Sequence, residues 1–176
     1  MKKVIFTFGL ISGGIVSVLM IITMFLGQDT MDYNLGMVIG YLTMLVAFSM
    51  VFVGIKSFRD QQNEGVISFG KAFQIGILIA LIACVMYAIT WEIYYNTVAP
   101  DFMEKYAENY LAEMKSNGAS QAEIDQMTEE MNTMSENYKN PVIRFGMTLM
   151  EIVPVGLAIT LISSLILRRK TNPTPA

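Results

Sequence analysis

The residues most able to do chemistry lie in the stretch TLMEIVPVGLAI, Thr148 to Ile159, where a carboxylate and a proline interrupt an apolar run. A charge at the centre of a membrane span costs about 2.5 to 3.5 kcal/mol on insertion scales. Glu151 therefore invites two readings. It can be a proton or cation site, or a neutral, hydrogen-bonded acid that fixes helix register against Thr148, Tyr94 or Arg144. Arg144 precedes it by roughly two turns, about 10 Å along a helix at 1.5 Å per residue. Glu92, which ends another apolar run, should lie at a similar level. Glu151, Glu92 and Arg144 thus form a candidate intramembrane polar cluster. Pro154 frees a backbone carbonyl and can kink the helix that carries Glu151.

Other chemistries have less material. The 176 residues contain no His and a single Cys, Cys84. His-based zinc sites, Ser-His and Cys-His pairs, and an intrachain disulfide are excluded. No Gly-rich phosphate loop or nucleophile–base pair is visible, so we expect neither an enzyme nor a bound cofactor. Met127, Met131 and Met134 share a helix face, and soft thioethers suit Cu(I). Yet the chain has 15 Met spread along its whole length, and Met fills irregular interfaces well. The expectation is packing, with no metal. The net charge of −3 and basic residues confined to span ends argue against nucleic acid as a partner.

The elements that must hold these groups follow from hydropathy. The chain is 53% hydrophobic and 15% charged, whereas a soluble domain is nearer a quarter charged. Val4–Leu26, Leu35–Ile55 and Ala72–Trp91 carry no charge, and Phe145–Leu167 carries only Glu151. A span needs about 20 apolar residues, and lipid offers backbone groups no partner, so each run should be a helix. The expected spans are about 4–26, 35–55, 72–95 and 143–167 of a single domain covering 1–176. The first run is too long for a signal core, and Phe25-Leu26-Gly27 makes a poor cleavage site, so it reads as an uncleaved span.

Lys and Arg set the orientation. Lys2, Lys3, Lys56, Arg59, Lys71, Arg168, Arg169 and Lys170 fall on one side. The other side has Asp29 and Asp32, and a long connection, Ala99 to Arg144, with four basic and nine acidic residues. Both termini should be cytoplasmic. Trp91, Tyr94 and Tyr95 read as an interfacial aromatic belt at the far end of span three. Lys56, Arg59 and Lys71 flank the cytoplasmic connection; three basic residues fall short of the 4 to 8 of a lipid-binding cluster and read as a topology signal.

Small residues recur every four positions in span three: Ala72, Gly76, Ala80, Cys84 and Ala88. Such a series lets helices approach closely. It serves as a candidate helix-packing face, within the bundle or toward a second copy or partner.

The connection before span four is itself patterned. Pro100 suits a helix start and Gly118 a stop, and Ser120 with Glu123 forms a capping box. Met103, Ala107, Tyr110 and Met114 make one seam; Ile124, Met127, Met131, Met134 and Tyr138 make another. Two helices over about 100–139 should fold as an antiparallel, extracytoplasmic hairpin with acidic outer faces.

The run GIKSFRDQQNEGVISFGKAFQIG, continuing into ILIALIACVMYAITWEIYY, resembles the bacterial membrane family known as domain of unknown function 4199. The marks are SFRD after span two, GVISFGKAF leading into span three, and the acidic helical insert before span four. The resemblance covers about residues 1 to 170. It implies a small integral inner-membrane protein with four spans, and the family offers no catalytic residues to carry over. The sequence thus reads as an all-α, integral membrane four-helix bundle in contact with lipid, either an interaction, accessory or scaffold protein, homo-oligomeric or bound to a membrane partner, or a small oligomeric transporter or channel using Glu151 with Glu92.

Overall fold

A computed structural model describes residues 1–27 and 33–169. Asp29, Asp32, Lys170 and the tail beyond it, used above for the charge pattern, lie outside the described residues. Among the described residues the chain is all-helical. Its elements are α1 (Lys2–Gly27), α2 (Tyr33–Gln62), α3 (Phe69–Thr97), α4 (Phe102–Ser116), α5 (Gln121–Tyr138) and α6 (Pro141–Leu167). α1, α2, α3 and α6 are each long and apolar enough to cross a membrane.

The helices start where side chains replace missing backbone partners. Ser68 accepts from the Lys71 amide and so opens α3 at Phe69. Asn140 accepts from the Val142 amide at 3.0 Å, and Pro141 takes the first turn of α6, where it loses no hydrogen bond. One expectation changes here. The second apolar run continues past Ile55 to Gln62, because Arg59 in the last turn complements the helix dipole. α6 runs unbroken through Pro154, whose ring sits on the exposed side.

One end of the molecule is tied together by polar contacts. The N-terminal amine donates to Gln62 Oε1 at 2.7 Å. The backbones of Ile67 and Arg169 exchange hydrogen bonds of 3.0 and 2.9 Å. Arg59 donates to the Leu167 carbonyl at 3.3 Å and pairs with Asp60 at 2.6 Å. The start of α1, the end of α2, the start of α3 and the end of α6 therefore share this end, so neighbouring long helices alternate in direction. α1 contacts α2 and α3, and α6 contacts the same two; α2 and α3 meet across the middle. Phe48, Val51, Ile55, Ile75, Ile79 and Ile152 are fully buried between them.

The small series of α3 lies inside this core: Ala72, Gly76, Ala80, Cys84 and Ala88 are all buried. A Cβ on Gly76 would meet Ile55 of α2 and Thr160 of α6, each at 2.9 Å. α3 thus gives its smooth face to α2 and α6 of the same chain, which leaves no surface there for a second copy.

α4 begins at Phe102 rather than at Pro100, which lies in the turn before it. Gly118 adopts φ +81, and the Ala119 amide reaches back to the Met114 carbonyl at 3.1 Å, closing α4. Ser120 and Glu123 then form a reciprocal capping box at the start of α5. Met103, Ile124, Met131 and Tyr138 are buried, and α4 packs on α5. Of the seam methionines, Met103 joins the main core and Met131 is buried, while Met134 lines the grooves beside α5.

The Ser120 hydroxyl and amide hold the Glu123 carboxyl below its usual range. A group whose folded pKa is depressed adds stability above its unfolded value and loses it as pH falls through the folded one. The first turn of α5 should therefore fray in acid, as the pH falls below the ordinary glutamate range. Ser120→Ala should weaken it at neutral pH by about 1 kcal/mol. Amide exchange at Gln121 to Ile124 reads both effects; unchanged protection in Ser120→Ala at neutral pH would remove the cap's role.

Candidate functional site

The three polar residues singled out in the sequence separate into a clasp and a cleft. Arg144, with its side chain 3% exposed, is the hub of the clasp. Its Nε donates to Glu92 Oε1 at 2.9 Å and its Nη2 to Glu92 Oε2 at 2.6 Å. This is the two-pronged geometry that a guanidinium suits best. Its Nη1 donates to the Tyr138 carbonyl at 3.0 Å, and its plane lies 4.0 Å from the centre of the Tyr95 ring. One arginine on α6 thereby fastens α3 and the last turn of α5.

Aromatic rings complete the clasp. Trp91 Nε1 donates to the Tyr138 hydroxyl at 2.7 Å. Phe102 of α4 meets the Trp91 ring edge-on at 4.8 Å. Trp91 and Tyr94 are 5% and 6% exposed, so they are not a lipid-facing belt. They pack inward because α4 and α5 return over the end of α3 and cover them. Burial pushes the Tyr138 phenol up to about 12, which keeps it a neutral hydrogen-bonding group.

Glu151 does not join this clasp. Arg144 is already filled by Glu92 and Tyr138, and the Thr148 hydroxyl donates back to the Arg144 carbonyl at 3.0 Å. Glu151 is exposed, and it has no hydrogen-bond or ion-pair partner among the described residues. It opens into a cleft of about 980 Å³ at the α4 end of the long helices. Met20 and Met24 of α1, Tyr41 of α2, and Tyr87 and Trp91 of α3 line its walls, and Phe102 and Lys105 of α4 stand at its mouth. Tyr87 and Tyr138 lie within electrostatic reach of Glu151. The Lys105 ammonium bonds to Asp101 at 2.8 Å and holds that carboxyl below its usual range. Among the described residues, Glu151 is then the one charge on the cleft wall without a counter-charge.

A second, shallower groove of about 500 Å³ runs between α5 and α6 and carries Glu129 and Glu130. No group of three His, Cys, Asp or Glu that could hold a metal ion occurs among the described residues. The sequence reading missed the cleft and the part of Tyr138 and Tyr95 in the clasp. Tyr138 does end a predicted seam six residues before Arg144, but nothing in that spacing tells that the arginine turns back toward it.

Residues 7–169 match the family described as a protein of unknown function, DUF4199, nearly the full span over which the sequence motifs resemble it. No curated protein and no solved structure matches the chain.

Proposed function

Starting from a chain that belongs to the DUF4199 family, we propose a four-span bacterial inner-membrane protein that works by contact rather than by conduction or catalysis. In this reading both termini are cytoplasmic. The end that gathers Lys2, Lys3, Lys56, Arg59, Lys71, Arg168 and Arg169 faces the cytoplasm, and α4 and α5 form an acidic hairpin outside. The outward apolar side chains, among them Phe6, Leu10, Val46, Ile93, Met150 and Ile166, suit lipid contact.

The observation that supports contact is the closed interior. Phe48, Val51, Ile55, Ile75, Ile79 and Ile152 fill the space between the long helices without exposure, so the cleft ends blind. The acidic groove between α5 and α6 suits a basic segment of an extracytoplasmic or membrane partner. Extraction with native lipids at low ionic strength, followed by mass spectrometry, should recover a second polypeptide in fixed stoichiometry. Glu129→Lys with Glu130→Lys should release it without unfolding the chain.

The open cleft and its unpaired Glu151 favour a second reading, a small oligomeric transporter that opens inward in another conformation. A pure homo-oligomer whose cation flux in liposomes vanishes in Glu151→Gln would establish that reading over the first.

A further inference from the structure

We propose that the cleft at the α4 end is a binding site for an organic cation with an apolar body, its charge set against Glu151 and its body against the Tyr41 and Phe102 rings and the Met37 thioether. The inference is independent of the partner reading, because it concerns the isolated chain. It rests on size, lining and charge. About 980 Å³ is at the upper end of the range of small-molecule sites, about 300 to 1,000 Å³. The lining includes the thioethers of Met24 and Met37 and the rings of Tyr41 and Phe102, with Thr23, Thr43 and Asn109 as neutral polar groups.

The charge pattern selects the sign. Asp101 and Lys105 at the mouth neutralise each other at 2.8 Å. Glu151 has no such partner, and Arg144, the nearest guanidinium in sequence, is committed to Glu92. Among the described residues, an anion entering the cleft would meet a carboxylate without a counter-charge and a lysine already paired with Asp101. An organic cation would meet a carboxylate and aromatic faces, which attract cations through the ring quadrupole.

The lining also selects against a metal ion. A hard cation such as calcium takes 6 to 8 oxygen ligands, and one unpaired carboxylate with scattered neutral oxygens falls short of that charge and number. A cation whose charge is spread over an apolar shell loses little hydration on entry. That is the chemistry this wall accepts.

Trp91 is the single tryptophan, so its fluorescence reports the cleft directly. The purified chain in a non-ionic maltoside detergent would be titrated with tetraphenylphosphonium and with tetraphenylborate, which match in size and differ in sign. The phosphonium should change the emission saturably, with one site per chain, and the borate should not. Glu151→Gln should weaken phosphonium binding at least tenfold while leaving the thermal transition in place. Gly40 lines the cleft and has open space where a Cβ would stand, so Gly40→Phe should block the site without touching the acid. Equal binding of both probes, undiminished phosphonium binding in Glu151→Gln, or no saturable signal above empty micelles would each overturn the proposal. A partner recovered from the membrane together with a cleft that ignores the phosphonium would leave the contact reading standing and remove this one.

Discussion

Arg144→Met should lower the stability of the folded chain by about 3 kcal/mol, the low end of what removing one partner of a buried pair costs. The low end applies because Arg144 is 3% exposed while Glu92 is 20% exposed and keeps some contact with its surroundings. Three losses add up. Glu92 is left as an uncompensated charge, the Tyr138 carbonyl loses its donor at 3.0 Å, and the Tyr95 ring loses a guanidinium stacked at 4.0 Å. Met keeps the apolar stem, so volume changes little. The double variant Arg144→Met with Glu92→Gln should recover a large part of the loss, since no charge is then stranded. Unfolding in a mixed-micelle titration, followed by Trp91 emission, reads the parent, the two single variants Arg144→Met and Glu92→Gln, and the double, and Trp91 bonded to Tyr138 at 2.7 Å senses the clasp itself. A single variant within 0.5 kcal/mol of the parent, about the scatter of surface changes, would mean that the clasp holds nothing. Additive single effects would mean that Glu92 and Arg144 do not depend on each other.

The contrast between Arg144 and Glu151 marks how far the sequence could be read. The long apolar runs were legible because lipid forces a helix on any such segment, and α3 and α6 extend the expected spans by only a turn or less. The α4–α5 unit was legible because its signals are local: the Ser120–Glu123 box and the positive-φ position at Gly118 need no knowledge of distant residues. The polar trio was legible in part: Arg144 and Glu92 do meet between α3 and α6, while Glu151 stands apart. Spacing along α6 put Arg144 and Glu151 near one face, but it could not say that the last turn of α5 would come within hydrogen-bonding distance of the arginine. That return is fixed by tertiary contacts of Tyr138 with Trp91 and Tyr95. It fills Arg144 and leaves Glu151 to the cleft. The same return turned an expected aromatic belt into a buried cluster. A cleft lined from all six helices leaves no mark in any one segment, so no local pattern could announce it.

Gly76→Leu should prevent the chain from reaching its folded state, while Gly14→Leu should leave it intact. Both replace a helical glycine in a long apolar helix, so propensity and hydropathy change alike. Their surroundings differ. A Cβ at Gly76 already meets Ile55 Cδ1 and Thr160 Cγ2 at 2.9 Å and Val51 Cγ1 at 3.1 Å. Those three residues have no exposure and belong to α2 and α6; Ile55 Cδ1 can swing aside for one methyl, but the branched Thr160 and Val51 leave no room for a leucine without parting the helices. Gly76→Ala alone should cost about 1 to 3 kcal/mol through overpacking, and leucine adds three more carbons to the same gap. At Gly14 nothing stands within 4 Å of the new atom. The size of the effect follows from the solvent. Helices in lipid gain nothing from hiding apolar surface from one another, and they associate through close fit. A side chain that parts α3 from α2 and α6 removes the interaction that joins them, and no hydrophobic drive restores it. Size-exclusion profiles and melting in detergent would distinguish the two variants. A monodisperse Gly76→Leu with the parent's melting point would mean that α3 meets its neighbours elsewhere than at this glycine.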